Sequence, residues 1–297
     1  MTDGRNDHHL SGELVLVSTP IGNLGDLSSR AIAALQSAAL ICCEDTRHSG
    51  KLLSHAGVSG VRMAIANEHT EADRVHQVLG LLGDGRSVAV ITDAGTPGIS
   101  DPGERLVRAA IDAGYRVSAV PGPAAFVMAL VISGFDTTRF GFDGFLPRNG
   151  PDRRARIAEY VTERRTVVLY EAPHRIVRTV ADLHAALGPD RRIALARELT
   201  KLHEEVWRGT LSAAVDHLAE REPRGEYAVV IEGAAAPSAS TDDDLRAALT
   251  TLLDGGVDRR TAIATIMADH GAAKRRVYDL ALTIPRRQAP PTDTVRS

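Results

Sequence analysis

The chain has 297 residues, of which 43% are hydrophobic and 25% charged, as in an ordinary globular protein long enough for two domains. Its formal net charge of -3 gives no overall argument for nucleic-acid binding. The first twelve residues lack the apolar stretch of a signal peptide and no apolar run could span a bilayer, so a soluble, cytoplasmic protein with no membrane partner is expected. The only cysteines, Cys42 and Cys43, are adjacent, which favours buried thiols over a disulfide or a zinc site.

Short apolar runs alternate with helical patterns through the first part of the chain. Strands are predicted at 14–18, 39–43, 88–92 and 116–120, and helices at 27–37, 72–82 and 104–113. Ser28 is the expected N-cap of the first helix. Strands that alternate with helices favour a mostly parallel sheet covered on both faces.

The pattern restarts near residue 140. Helices are predicted at 153–161, 176–187 and 211–219, and strands at 166–170, 192–196 and 227–232, with a charged loop after 196. A linker rich in Ala, Ser and Pro, at 233–240, precedes three further predicted helices at 242–253, 259–269 and 273–282. The expected fold class is α/β: α/β domains at 13–135 and 140–234, a small C-terminal helical segment at 242–284, and a disordered tail at 285–297.

Five of the predicted strand ends lead directly into loops rich in Gly, Pro, Asp or Glu. These loops follow Ser18, Cys43, Thr92, Val120 and Tyr170. Because ligands of open α/β sheets bind beyond the carboxyl ends of the strands, the loops are expected to line a largely pre-formed pocket. The string DAGTPG that follows Thr92 suits a ligand with a ribose and an amino-acid end, since a carboxylate accepts hydrogen bonds and free N–H groups bind a carboxylate.

Several familiar fingerprints are absent from the sequence. It contains no G-x-x-x-x-G-K-[ST], no G-x-G-x-x-G between a strand and a helix, and no G-x-S-x-G. Histidines are scattered without ligand spacing, so no metal site is predicted. These absences disfavour a P-loop ATPase, a dinucleotide-dependent oxidoreductase and an α/β-hydrolase.

Eight strings occur together in an order that resembles one known family. They are STPIGNLGDLSSRA, EDTRHSGKLL, NEHT, TDAGTPGISDPG, VPGPAA, FDGFLPR, YEAPHR and ARELTKLHEE. They resemble the ribosomal RNA small-subunit methyltransferases of the tetrapyrrole methylase superfamily, which methylate a cytidine 2′-hydroxyl of 16S ribosomal RNA near the decoding centre. The resemblance covers roughly residues 13–233, and TPIGNL, EDTR and DAGTPGISDPG distinguish it from the porphyrin branch.

The resemblance implies that S-adenosylmethionine binds in a cleft between the two domains. The residues implied to contact it are Pro20, Asp93, Ala94, Gly95, Ile99, Ser100, Asp101, Pro121, Gly122, Pro123, Ala124, Tyr170, Glu171, Leu195, Ala196, Arg197, Ala228 and Val229. Two alternatives remain open at this point. Pro121 and Gly122 fit a plain turn equally well, and Asp101 fits an N-cap of the helix at 104.

The implied reaction is direct displacement, in which a base helps as the ribose hydroxyl loses its proton. Candidate bases, in no order of preference, are Glu44, Asp45, His69 and Glu198. Glu44 with Arg47 is interpreted as a local ion pair. Basic residues are the candidates for RNA contact, namely Arg47, Arg148, Arg153, Arg154, Arg175, Lys201, Lys274 and Arg275.

Aromatic residues make up only 4% of the chain, so stacking platforms for many unpaired bases are not expected and recognition of a folded RNA by shape and phosphates fits better. A homodimer is expected from the family. The first alternative is a C-methyltransferase of a tetrapyrrole precursor such as a precorrin or uroporphyrinogen. A non-catalytic RNA-binding protein and a magnesium-dependent nucleotide hydrolase are the others.

Overall fold

The computed structural model describes residues 12–67, 69–220, 222–235 and 240–285. The chain forms two compact units that divide between Ala234 and Ala235. Within the described ranges no helix is long and apolar enough to cross a membrane, and no cluster of His, Cys, Asp and Glu side chains has the makings of a metal site. The tail expected to be disordered lies outside the described residues from position 286 onward, as do residues 236–239 of the linker.

The first sheet occupies the N-terminal half of the first unit. Its strands are β1 (Glu13–Val17), β2 (Leu40–Cys43), β3 (Met63–Ile65), β4 (Val88–Val90) and β5 (Arg116–Val120). Helices α1 (Ser29–Ser37), α2 (Thr46–His55), α3 (Glu71–Gly83) and α4 (Glu104–Asp112) connect them. All pairs are parallel, as the alternating pattern predicts, and the strand order is β3-β2-β4-β1-β5. Cys42 and Cys43 are buried in β2 as free thiols, which confirms their expected place.

Side-chain caps mark the starts of several helices, and two helices of this half are not predicted by the pattern. Ser28 Oγ accepts a hydrogen bond from the Ala31 N–H, which confirms the predicted cap of α1. The pattern predicts a loop where the second helix, α2, begins, and there Asp45 accepts a hydrogen bond from the Arg47 N–H as the N-cap. The next helix, α5 (Ala125–Ser133), reads AFVMALVIS and has no polar face, so it shows no helical periodicity.

The cap of α4 comes from a neighbouring helix. The side chain of Glu71, which is buried at the start of α3, accepts hydrogen bonds from the N–H groups of Gly103 and Leu106 at 3.1 and 3.0 Å. The interpretation of Asp101 as an N-cap is therefore wrong, because a different carboxylate already satisfies the free N–H groups of that helix end.

The second sheet forms the rest of the first unit. Its strands are β6 (Phe140–Phe145), β7 (Thr166–Glu171), β8 (Arg192–Arg197), β9 (Glu205–Thr210) and β10 (Tyr227–Ile231), with helices α6 (Gly150–Glu159), α7 (Pro173–Leu187) and α8 (Leu211–Ala219). The order is β6-β7-β10-β8-β9, and only β6 and β7 are parallel. The second sheet is therefore mixed: β10 runs antiparallel to β7 and β8, and β9, where a charged loop is expected, adds an antiparallel strand beside β8.

The two faces of the second sheet pack against different helices. Leu195 and Val229 lie in the cluster that packs on α7 and α8. Ala196 and Ala228, which are paired in the ladder, lie in the opposite cluster with Leu130 of α5. Successive residues of a strand point to opposite faces, so α5 brings the first sheet against one face only.

The second unit is a bundle of three short helices, α9 (Asp242–Asp254), α10 (Arg259–His270) and α11 (Lys274–Thr283). Thr241 and Asp244 form a reciprocal capping box at the start of α9. Residues 271–273 join α10 to α11, beginning with Gly271 at φ 59°, and a turn of that length is typical of helix-turn-helix motifs.

Candidate active site

A cavity of about 540 Å³ lies within the first unit, where loops of the first sheet face the second sheet. A volume of this size is typical of small-molecule sites. Its walls come from the loop at 93–101, the start of α5, the end of β7, the loop after β8 and the start of β10. Loops that follow strands of the first sheet therefore meet a ligand-sized space, as the strand-end rule predicts.

Hydrogen bonds hold three strand-end loops of the first sheet together. Thr19, after β1, and Gly95, after β4, exchange both backbone hydrogen bonds, at 2.8 and 3.1 Å. The hydroxyl of Thr96 bonds to that of Ser18 and donates to the carbonyl of Pro123, after β5. Gly95 has φ 89°, a conformation that only glycine adopts easily, so this junction depends on the residue.

Three carboxyl groups cluster at the first-sheet side of the cavity. Asp101 lines the cavity, and its pKa is raised to about 7 by burial, by repulsion from Glu44, by a hydrogen bond with Glu44 and by Asp93. Burial also raises the pKa of Glu44, partly offset by the hydrogen bond with Asp101. Oε1 of Glu44 and Oδ1 of Asp93 are buried without a hydrogen-bond partner among the described residues.

These acceptors fit S-adenosylmethionine. Its ammonium group and ribose hydroxyls are donors and its sulfonium is cationic, whereas a buried acceptor without a partner is costly until a donor meets it. Ile21, Ile99 and Leu199 add apolar surface for the rest of such a molecule.

The opposite wall is apolar and aromatic. Ala196 and Ala228 form its floor, and Tyr170 stands at the edge with its hydroxyl oxygen accepting the Phe126 N–H at 3.1 Å. Leu195 and Val229, expected to contact the cofactor, face the core behind the sheet with 2% and 0% exposure. Their side chains therefore do not line the cavity, because alternate residues of each strand face away from it.

Other expected cofactor contacts fall into two groups. Asp93, Ala94, Gly95, Ile99, Ser100, Asp101, Ala124, Tyr170 and Glu171 line the cavity. Pro20, Pro121, Gly122, Pro123 and Arg197 are not among its lining residues. A Cβ on Gly122 would lie 2.8 Å from the Cβ of Ser18, so this glycine lets two loops approach closely, while Arg197 pairs with Glu205 at 2.9 Å.

Two of the four candidate bases lie elsewhere. Asp45 caps α2 and pairs with Arg47, whose hydrogen bonds lower the pKa of Asp45 to about 2, so it is a poor base. The ion pair expected between Glu44 and Arg47 is therefore formed by Asp45 instead. His69 is exposed in the turn before α3 and does not line the cavity.

Glu198 does line the cavity, but its carboxylate is engaged. Lys201 Nζ lies 2.9 Å from Oε1 of Glu198 and 2.9 Å from Oε2 of Glu226. Burial tends to raise the pKa of Glu198, yet the hydrogen bonds from Lys201 and from the Glu226 N–H outweigh it, so that pKa lies below its ordinary value. The stem of Lys201 lies where a Cβ on Gly22 would collide with it, which brings the β8 loop against the first loop.

Backbone strain also concentrates at this site. Ser100, Glu198 and Thr200 have φ values of 60°, 51° and 66°, and they are the non-glycine residues with positive φ among the described residues. Ser100 and Glu198 line the cavity. Such conformations persist where the surrounding structure enforces them, typically at functional sites, and no sequence signal announces them.

Two of the arginines expected to bind RNA are instead engaged in hydrogen bonds and ion pairs within the fold. Arg153 has a side chain only 3% exposed and donates to Asp182, Thr179 and the Pro147 carbonyl. Arg175 bonds to Glu171 and to the Leu146 carbonyl, at 3.2 and 2.6 Å. Both guanidinium groups are thus used inside the fold, and their assignment to RNA is wrong.

The remaining basic candidates differ in whether a carboxylate already pairs with them. Arg148 and Arg154 are exposed and have no ion-pair partner in the described part of the chain, and the same holds for Lys274 and Arg275 of the second unit. Arg47 is exposed but paired with Asp45, and Lys201 is held by two carboxylates.

Sequence reasoning missed several residues of the cavity. Phe145, His174 and Glu226 line it, and so does Thr96. Phe145 stands inside the string FDGFLPR, from which only the following arginines were assigned a role. The sequence signal for this residue is its position at the end of a strand, directly after Gly144 and shortly before the turn at Pro147.

Comparisons with known proteins agree with the fold. The sequence profile of the family described as Tetrapyrrole (Corrin/Porphyrin) Methylases matches residues 13–215. Solved structures similar to this chain include the methyltransferase CobJ, with TM-score 0.58 and 19% identity over 77% of this chain and 98% of that one. Another is precorrin-6Y methylase from Archaeoglobus fulgidus, with TM-score 0.51 and 18% identity over 76% of this chain and 100% of that one.

Closer sequence relatives carry a different name. The chain is 42% identical to ribosomal RNA small subunit methyltransferase I of Synechocystis, over 92% of this chain and 98% of that protein. The proteins of the same name from Xylella fastidiosa and Escherichia coli O157:H7 are 46% and 39% identical, over 75% and 91% of this chain and 82% and 95% of those proteins.

Proposed function

Because the chain belongs to the tetrapyrrole methylase family and, within it, to the ribosomal RNA small subunit methyltransferase I family, we propose that it methylates the 2′-hydroxyl of a cytidine in 16S ribosomal RNA, near the decoding centre. It is a methyltransferase that uses S-adenosylmethionine, and it acts in ribosomal RNA methylation. The acceptor position is the part that we propose.

The observation that supports methyl transfer by this chain is the cavity with its unpaired buried acceptors. Asp93 presents a carboxylate oxygen without a partner among the described residues, and Asp101 and Glu44 add two further carboxyl groups beside it. A site of this kind suits a cationic, donor-rich cofactor. When bound, S-adenosylmethionine supplies a methyl group already activated by its sulfonium.

Within this proposal the chain's own residues bind, orient and accept a proton. Asp93 and those N–H groups of the loop at 93–101 that make no backbone hydrogen bond hold the amino-acid and ribose ends, and Ala196 and Ala228 leave room for the flat base. A ribose hydroxyl is a weak nucleophile, so a carboxylate that accepts its proton assists the transfer. Asp101, which faces the cavity and shares a hydrogen bond with Glu44, is placed for that role.

Substrate contact is assigned to the free basic side chains. Arg148 and Arg154 flank the start of α6 in the first unit, and Lys274 and Arg275 begin α11 in the second. Exposed cations without carboxylate partners are available to phosphates, whereas Arg153 and Arg175 are not. The partner is ribosomal RNA or the small ribosomal subunit.

A homodimer is part of the proposal. Helix α5 buries Ala129 and Leu130 against the second sheet, yet leaves Met128, Val131 and Ile132 exposed by 36% to 55%. Apolar surface of this kind on one side of a helix is typical of a protein interface. Sedimentation of the full chain and of Val131→Glu would test it, since a charge at that position should shift a dimer towards monomer.

Mapping ribose methylation in 16S ribosomal RNA from cells with and without the protein tests the proposed acceptor. One cytidine 2′-O-methyl group should disappear without the gene and return with it. Methyl transfer from radiolabelled S-adenosylmethionine to purified small subunits, compared with transfer to uroporphyrinogen, distinguishes the proposal from the tetrapyrrole alternative. Transfer to uroporphyrinogen alone would overturn it.

Asp93→Ala should weaken binding of S-adenosylmethionine about tenfold to a hundredfold, the range expected when a hydrogen bond to a charged group is lost. Isothermal titration calorimetry measures this directly. Asp112→Ala, which removes an exposed carboxylate at the end of α4, is the matched control and should bind normally. Unchanged affinity in Asp93→Ala would remove this residue from the site.

A further inference from the structure

One aromatic ring stands half in solvent at the cavity. Phe145 is 53% exposed and belongs to the cavity lining. The chain has only 5 Phe, 5 Tyr and 1 Trp, and a large ring left in water at a ligand site is a less ordinary placement than a scattered surface residue. Neither the polar contacts proposed for the cofactor nor the carboxyl cluster explains why an aromatic ring is placed here.

A β-bulge turns Phe145 towards the cavity. Phe142 pairs with Val168 and Phe145 with Tyr170, so β6 carries one more residue than β7 between these two pairs. Gly144, inside the bulge, has φ 60°, and a Cβ on it would lie 3.1 Å from Oγ of Ser100 in the cavity loop. Bulges of this type re-aim side chains beside active sites.

Other aromatic rings support it from one side. The centroid of the Phe145 ring lies 5.7 Å from that of Tyr170, which in turn contacts Phe142 edge-on at 4.9 Å. Phe142 stacks on Phe126 at 4.4 Å. These spacings are typical of favourable aromatic pairs, so the exposed ring rests on a packed row rather than on a loose loop.

Two arginines hold the backbone that follows Phe145. Arg175 donates to the Leu146 carbonyl, and Arg153 donates to the Pro147 carbonyl at 3.2 Å. The segment is therefore fixed at two consecutive carbonyls. The next residue, Arg148, is exposed and has no ion-pair partner within the described ranges. A fixed ring followed by a free cation matches a nucleotide, which offers a base to stack and a phosphate to pair.

We propose that Phe145 is the stacking platform for the unpaired base of the nucleotide that is methylated, with Arg148 contacting an adjacent phosphate. This inference rests on the proposed function. Stacking there would hold the ribose of that nucleotide at the mouth of the cavity, beside the carboxyl group of Asp101. One platform serves one base, which agrees with an aromatic content too low for a long single strand.

The experiment compares Phe145→Ala, Phe145→Trp and Phe145→Leu with Phe140→Ala as the matched control. Phe140 lies at the other end of β6, is 41% exposed and does not line the cavity. The readouts are kcat and KM for methyl transfer to purified small ribosomal subunits that lack the modification, the affinity for S-adenosylhomocysteine, and the thermal unfolding midpoint.

Phe145→Ala should lower kcat/KM for the subunit roughly tenfold to a hundredfold, the effect of losing one base–aromatic stack. Phe145→Trp should keep transfer within a few-fold of the original, and Phe145→Leu should behave like Phe145→Ala because it keeps apolar surface but no π-face. Phe140→Ala should transfer normally. All variants should bind S-adenosylhomocysteine as the original protein does.

Three results would overturn the assignment of Phe145. They are normal transfer by Phe145→Ala, full activity of Phe145→Leu, and a loss of S-adenosylhomocysteine affinity in Phe145→Ala that accounts for the loss of transfer, which would place the ring on the cofactor. Each of these presupposes that the unaltered protein methylates the subunit. If the unaltered protein does not, the proposed function itself fails, and the two failures are thereby told apart.

Discussion

The two sheets of the first unit contribute to the cavity in different ways. The first sheet contributes loops at its strand ends. These loops carry the carboxyl groups of Asp93, which has a buried oxygen without a hydrogen-bond partner among the described residues, and of Asp101, which is buried beside other acidic groups. The second gives the flat faces of its strands, floored by Ala196 and Ala228. Its one buried carboxylate near the cavity, Glu171, is fully satisfied by Thr179, Arg175 and the Ala172 N–H.

This difference separates residues that bind from residues that hold the binding surface. A carboxylate with an unpaired buried oxygen awaits a donor, whereas one surrounded by donors stabilises the fold. In the first sheet, position along the chain decides the role, since the loops that follow β1, β4 and β5 reach the site from the carboxyl ends of their strands. In the second sheet the face decides it, because neighbouring residues point in opposite directions.

The largest effect is expected at Leu195, behind the second sheet. Leu195→Ala should lower the free energy of unfolding by about 2–5 kcal/mol, the range for a buried leucine truncated to alanine. Ala196→Leu, one residue further along, should instead reduce affinity for S-adenosylmethionine because it fills the cavity. Urea unfolding and calorimetry on both variants measure the contrast. A stable Leu195→Ala with poor cofactor binding would reverse the assigned faces.

A smaller effect is expected for the arginines of α6. Arg153→Ala should destabilise the protein by about 1.5–3 kcal/mol, as expected for lost hydrogen bonds to charged groups. Arg154→Ala should change stability by less than about 0.5 kcal/mol, as is usual for an exposed residue, and should weaken RNA binding. Thermal unfolding and filter binding of ribosomal RNA separate the two. Equal stability of both variants would contradict the buried position of Arg153.

The smallest effect is a pH dependence from Asp101, whose pKa is raised from an ordinary value of 3.8 to about 7. A cationic ligand prefers the ionised carboxylate, so affinity for S-adenosylmethionine should rise several-fold as pH increases through about 7, with proton release. Without ligand the sign is opposite. A raised pKa contributes stability that is fully present below pH 3.8 and is lost as pH rises towards 7.

Calorimetry in buffers of different ionisation enthalpy, repeated with Asp101→Asn, measures that proton. Asp101→Asn should abolish the proton release near neutral pH. The variant keeps the neighbouring carboxyl group of Glu44, so it distinguishes between the two groups as the source of the proton. Proton release that persists unchanged in this variant would assign the titration to Glu44 instead.

Sequence patterns predicted the first sheet and its loops better than the second. Strand β5 has the predicted bounds, and the loop at 93–101 lines the cavity as expected. Strand β9 was missed because its charged residues hide an edge strand, and α5 because a helix apolar on all sides has no period.

The errors at the site have physical reasons of the same kind. A string such as LAR or AVV predicts a strand but not which residues face a ligand, so Leu195 and Val229 were assigned together with their neighbours. For Arg153 a signal did exist. It shares one face with Ile157 of α6 and with Tyr160, the C-cap residue, and all three are buried, so the apolar spacing places this arginine on the inner face of the helix. The strained φ values and the bulge at Gly144 depend on contacts between the sheets, which no local pattern contains.

The close approach of Lys201 to Gly22 has a consequence for how the site tolerates change. With the ammonium group fixed between Glu198 and Glu226, the aliphatic chain of the lysine fills the space that a side chain at position 22 would need. The two positions are far apart in the chain but sterically coupled, because the side chain at 201 occupies the space beside the backbone at 22. Gly22→Ala alone should push the loop that follows β8 away from the first loop and widen the cavity. A shorter side chain at position 201, combined with Gly22→Ala, should let the two loops approach each other again.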